Sequence, residues 1–114
     1  MGSEHAEVLQ GTLELLVLRA LALEPMHGWG LAQRIDVMSG GVFAIQQGTL
    51  YPALQRMKRR GWVKAAWRIT GNNRRARYYA ITTAGERQLA EARSEWERAS
   101  SAVNGILDWR RGTA

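Results

Sequence analysis

Thr49-Leu50-Tyr51-Pro52-Ala53-Leu54-Gln55-Arg56-Met57-Lys58-Arg59-Arg60-Gly61 is followed by Trp62-Val63-Lys64-Ala65-Ala66-Trp67-Arg68-Ile69, a Gly71-Asn72-Asn73 turn signal, and Arg77-Tyr78-Tyr79-Ala80-Ile81. The first run predicts a helix over 49–60. Leu50, Leu54 and Met57 share its inward face, Thr49, Pro52, Gln55, Arg56 and Arg59 its outward face, and Gly61 stops it. Pro52 is expected near the first turn, where a missing N–H costs little. The rest is rich in aromatic and branched residues on either side of a turn, which predicts a two-stranded hairpin.

Working outward, two more helices precede this unit and a long one follows it. Leu13, Leu16, Val17, Ala20 and Leu21 recur at helical spacing before Pro25, with Leu15, Leu18 and Leu23 on other faces. A helix apolar nearly all round is buried on more than one side, and the second side is expected to meet another subunit. His27-Gly28 opens the next helix, with Leu31, Ile35 and Met38 as its stripe and Ser39-Gly40-Gly41 as its end. Residues 42–45 read as a minimal strand. Thr83-Ala84-Gly85-Glu86 has the form of a capping box with Thr83 at the N-cap. The helix it starts runs to about 108. Leu89, Ala92, Trp96, Ala99, Val103 and Ile106 repeat along it in steps of three and four, a heptad stripe. At ~1.5 Å per residue it is about 39 Å long, more edge than a three-helix core can cover. A seam between two copies is therefore expected, built from that stripe with Leu13 and Leu16.

Three helices and then a hairpin make a winged helix-turn-helix. The expected fold is mainly α (α+β), with a flexible tail over 1–8, a winged-helix domain over 9–82, a dimerisation helix over 83–109 and a flexible tail over 110–114. At 114 residues the chain is one domain.

Charge points the same way. No acid lies between Asp36 and Glu86, yet nine bases do: Arg56, Lys58, Arg59, Arg60, Lys64, Arg68, Arg74, Arg75 and Arg77. The whole chain is +6, so the remainder sums to −3. A one-sided cationic surface attracts polyanions, of which duplex nucleic acid is the commonest. A solvated face, a solubility device and an acidic protein partner are the competing readings. In a winged helix the third helix enters the major groove and the wing reaches the flanking backbone. The candidate DNA-binding set is Gln47, Thr49, Tyr51, Pro52, Gln55, Arg56, Arg59, Arg74, Arg75 and Arg77. Thr49, Gln55 and Arg56 are the expected base readers, since glutamine pairs with adenine edges and arginine with guanine. The Tyr51 hydroxyl either reaches a phosphate or packs at the helix start. Alternation along the returning strand puts Arg75 and Arg77 on one face and Tyr78 on the other, one expected to face DNA and the other the core.

Gly48-Thr49-Leu50-Tyr51-Pro52-Ala53-Leu54 resembles the PadR family of bacterial transcriptional regulators. Gly11-Thr12-Leu13-Glu14-Leu15-Leu16-Val17-Leu18, Pro25-Met26-His27-Gly28 and Arg75-x-Arg77-Tyr78-Tyr79-x-Ile81-Thr82-x-x-Gly85 resemble further family segments in the same order. The likeness covers about 9–108. It implies a homodimer joined by its C-terminal helices, a repressor released from its operator by an effector, and the subgroup with one short C-terminal helix. Trp29 stands where the family often has tyrosine. Gln46-Gln47 stand where many relatives have acids, which leaves the helix start uncharged. Some relatives bind planar ligands between subunits, and Trp96 is the residue here that would border such a cleft with a small apolar effector.

Other classes are disfavoured. The chain has no cysteine, so it has no thiolate zinc site and no thiol nucleophile. His5 and His27 have no second ligand nearby in sequence, so no metal or cofactor is expected; His27 reads as a capping or core residue. The serines have no base partner, which argues against an enzyme. Residues 13–23 are too short and too charged to span a bilayer, and no signal peptide is legible; a cytoplasmic location is expected. The alternative function is a winged-helix module that binds an acidic protein.

Overall fold

In the computed structural model residues 10–112 are described. They form α1 (Gln10–Leu23), β1 (Met26–His27), α2 (Gly28–Met38), α3 (Gln47–Arg59), β2 (Val63–Ile69), β3 (Arg75–Ile81) and α4 (Thr83–Leu107). The expected tail over 1–8, with His5, lies outside the described residues, as does the end of the 110–114 tail. The architecture is the expected mainly helical winged helix, with an antiparallel sheet in the order β1-β3-β2.

The third strand comes from an unexpected place. Met26 and His27 pair with Tyr79 and Tyr78, while residues 42–45 form a loop. That loop is held to the end of α2: the Phe43 amide donates to Ser39 Oγ (2.9 Å) and the Val42 amide to the Ser39 carbonyl (3.2 Å). Ile45 is buried and Phe43 half-buried, so these apolar residues plug the core instead of pairing as a strand.

The core is built from one face of each early helix. α1 contributes Leu13, Val17, Leu18, Ala20 and Leu21, α2 contributes Leu31 and Ile35, and α3 contributes Leu50, Ala53, Leu54 and Met57. Val63 and Tyr79 close it from the sheet. Each buried leucine contributes ~1.5–3 kcal/mol relative to exposure. Two expectations change here. Leu13, assigned above to the subunit seam, is 1% exposed and belongs to the core of a single chain. Met38 leaves the α2 stripe and is exposed.

α3 begins two residues earlier than expected, which moves Pro52 into its second turn. The bond Pro52 cannot donate would have reached the Gly48 carbonyl. Gly61, at φ 78°, provides the left-handed step that ends the helix and turns the chain into β2.

α4 is anchored to the base of the hairpin, and its cap differs from the sequence reading. Thr82, not Thr83, is the N-cap: its Oγ1 accepts from the Gly85 amide (3.0 Å) and donates to the Gly61 carbonyl (2.6 Å). The Thr82 amide donates to the Trp62 carbonyl (3.0 Å). Glu86 then falls one place past the reciprocal position, so the capping box is not made. The helix passes so near the hairpin that a Cβ on Gly85 would lie 2.1 Å from the Trp62 carbonyl oxygen. Farther along, Leu89 and Ala92 are half-buried, whereas Trp96, Ala99, Val103 and Ile106 are exposed. The flanks of this stripe carry the ion pairs Arg93–Glu97 (3.6 Å) and Arg98–Glu95 (3.2 Å).

Candidate nucleic-acid interface

α3 presents one face to solvent because its other face is fully used in the core. Thr49, Tyr51, Pro52, Gln55, Lys58 and Arg59 are exposed on it, and Gln47 is half-exposed. Tyr51 takes the packing role at the helix start. Its ring lies over the buried Gly28 at the start of α2, where a Cβ would sit 3.2 Å from the ring and hydroxyl, yet the residue stays 45% exposed. His27 caps α2, its Nδ1 accepting from the Gly30 amide (2.9 Å). Trp29 stands beside it, exposed, its ring 6.3 Å from that of His27.

Gln55 lies over the root of the wing. Its side chain interacts with the hydroxyl of Tyr79, a fully buried tyrosine of β3. Burial pushes the Tyr79 hydroxyl above the usual tyrosine value of 10.0, an effect the Arg77 guanidinium opposes. The candidate base reader therefore rests on the wing's root.

Arg56 departs from its expected role. It turns toward α1, where its Nε lies 3.8 Å from Glu14 Oε2, and Arg60 Nη1 approaches the same oxygen at 3.7 Å. Both Arg56 Nε and Glu14 Oε2 are buried and make no hydrogen bond among the described residues, so the attraction is ionic only. Arg56 lies on the flank of α3 nearest α1, and a carboxylate there outcompetes the open face. The acid-free window hid this pairing because Glu14 lies far upstream.

The wing is organised by strand parity. Register pairs Val63 with Ile81, Ala65 with Tyr79, Trp67 with Arg77 and Ile69 with Arg75. The odd-numbered residues share one sheet face, so Arg75 and Arg77 lie on the same side as buried Tyr79. The expected split between an arginine face and a core face is thus corrected: the arginine face itself covers the core near the root and extends past it toward the tip. Tyr78 lies on the opposite face with Arg68, whose guanidinium carbon is 4.8 Å from its ring centre, and with His27 edge-on at 5.3 Å. Arg74 sits at the tip, next to Asn73 at φ 61°. Trp62 packs against the core, whereas Trp67 is 54% exposed, with Arg75 and Arg77 over its ring. The candidate set did not include Trp67; the signal was its parity, legible only once the turn length fixed the register.

Trp96 lines an open cleft of about 450 Å³ between α1 and α4 of one chain, with Leu15, Leu18, Ala92, Glu14 and Glu95. Leu16 is half-buried against the core. Among the described residues no cluster of histidine, aspartate and glutamate could hold a metal ion, and no helix is long and apolar enough to cross a membrane.

Comparison with known proteins bears on this surface. Residues 17–91 match the transcriptional regulator PadR-like family. A Streptococcus mutans protein of known structure is 25% identical, with 96% of this chain and 98% of that one covered and a TM-score of 0.81. A PadR family transcriptional regulator from Eggerthella lenta is 31% identical over 89% of this chain and 86% of its own, at a TM-score of 0.74. A PadR-like transcriptional regulator from Bacillus cereus is 26% identical, covering 90% and 97%, at a TM-score of 0.78.

Proposed function

This chain belongs to the PadR-like family of transcriptional regulators, and on that premise we propose that it is a homodimeric repressor that reads a pseudo-palindromic operator and leaves it when an effector binds. The family makes it a DNA-binding regulator and not an enzyme; dimer, repression and release are our reading. The observation that carries it is the shared exposure of the α3 face and the arginine-bearing wing. Two such units, about one DNA turn or ~34 Å apart, would place both α3 helices in successive major grooves. The uncovered Trp96, Val103 and Ile106 supply the apolar face for α4 of a second copy. An effector in the cleft beside Trp96 would change the angle between subunits and hence the spacing of the two α3 helices. The site of action would be the cytoplasm, where the promoter is.

Within this scheme the arginines of the wing hold backbone, and Gln55 reads sequence. Arg75→Ala is expected to weaken binding to every duplex alike, and Gln55→Ala to change preference among duplexes. A competition shift assay on the chain's own promoter, with salt titration and a parallel sedimentation run, measures both and the subunit count. Equal loss for the two variants on all DNA tested would refute the division. A single-subunit species that ignores duplexes in dilute buffer would refute the function, and tight binding to an acidic protein instead would favour the interaction-module reading.

A further inference from the structure

The indole of Trp67 is more than half exposed on the wing, yet two guanidinium carbons lie over it, Arg75 at 4.8 Å and Arg77 at 5.7 Å from the ring centre. Register explains the pair. Trp67 lies directly across from Arg77 and diagonally from Arg75, both on the same sheet face and both within reach of an aromatic side chain. Arg77 Nε is buried and has no hydrogen-bond partner among the described residues, so no hydrogen bond fixes that edge of the fork. A stacked guanidinium keeps its outer N–H groups free and loses rotamer freedom before any ligand arrives.

From this we infer that Trp67 is a positioning residue for DNA binding, a platform that aligns Arg75 and Arg77 side by side in the free protein so that they meet duplex phosphates already ordered. This rests on the proposed DNA-binding role of the wing. Ordering flexible side chains at an interface weakens binding, and pre-aligned ones avoid that loss. A charge count alone cannot supply this effect, because replacing Trp67 changes no charge.

The test is a mutant cycle read by operator affinity at fixed salt. Trp67→Leu is expected to weaken binding about three- to tenfold, the ordering loss of one or two side chains, while Trp67→Phe, which keeps a ring, retains most of it. In an Arg75→Ala/Arg77→Ala background, Trp67→Leu is expected to have no further effect. A direct contact between the indole and DNA, or a general loosening of the wing, would instead give additive losses and overturn the proposal. So would an unchanged affinity for Trp67→Leu in a protein whose wild type binds. Absence of wild-type binding would count against the proposed function itself. A readout independent of the variants is the NMR shift of the arginine side-chain protons in the free wild type. Upfield ring-current shifts at Arg75 and Arg77 are expected, and ordinary positions would overturn the platform.

Discussion

Gly85→Ala is a one-methyl test of how α4 is fixed to the wing. The added Cβ would fall 2.1 Å from the Trp62 carbonyl oxygen, 2.8 Å from Ile81 Cγ1 and 3.0 Å from the Trp62 carbonyl carbon. Two of those three atoms are backbone, so the helix start must withdraw by about 1 Å to reach ordinary van der Waals distance. Withdrawal strains the Thr82 amide bond to Trp62 and the Thr82 hydroxyl bond to Gly61, at ~1 kcal/mol each, and the cap on Gly85, at another ~1 kcal/mol. Alanine's better helix propensity offsets ~1 kcal/mol. The net is about 2 kcal/mol of destabilisation, or roughly 8–16 °C in Tm for a domain of this size. Gly105→Ala is the internal control. It is the same substitution in the same helix, where an added Cβ meets nothing within 4 Å, and it should stabilise by up to ~1 kcal/mol. Thermal unfolding by circular dichroism at equal protein concentration reads both. A Gly85→Ala protein as stable as wild type, or two variants shifting in the same direction, would refute the close-approach argument.

Two further outcomes follow from buried charge and polarity. Glu14→Gln should release Arg56 and Arg60; the log–log salt dependence of DNA binding is then expected to steepen by up to ~1.8, or ~0.9 for each new phosphate contact. An unchanged slope would mean that neither guanidinium reaches DNA. Tyr79 has its folded-state pKa raised above 10.0, so its contribution is complete below the ordinary tyrosine range and is lost as pH rises through the folded value. Stability should fall at strongly alkaline pH in the wild type and fall less in Tyr79→Phe, with denaturant midpoints at pH 8 and above pH 10 as the measurement.

The fold was largely legible because its signals are local. The apolar spacing of Leu50, Leu54 and Met57, the turn at Gly71-Asn72-Asn73 and the stop at Gly61 each act within a few residues. What sequence missed is set by contacts between distant segments. Glu14 captures Arg56 only because α1 packs beside α3, and no periodicity announces that. Thr82 wins the cap from Thr83 because its hydroxyl also bonds Gly61, across the hairpin's base. Residues 42–45 have strand composition, but the free edge of β3 is taken by Met26 and His27 instead. Leu13 looked like a seam residue because α1 is apolar on several sides, and only packing shows which side is inside. In the candidate interface the residue types were readable, while the aim of each side chain was not.

Because the odd-numbered residues of β3 serve the core at one end and carry the arginines at the other, the length of this hairpin is quantised. A single residue inserted between Arg77 and Tyr79, matched by one between Ala65 and Trp67, would rotate the arginines to the back of the wing while leaving the interior intact. Two residues in each strand would restore them and carry the tip ~6.8 Å farther out. Homologues that vary wing length between these positions should therefore do so in even steps, each step moving the place along the duplex that the tip can touch.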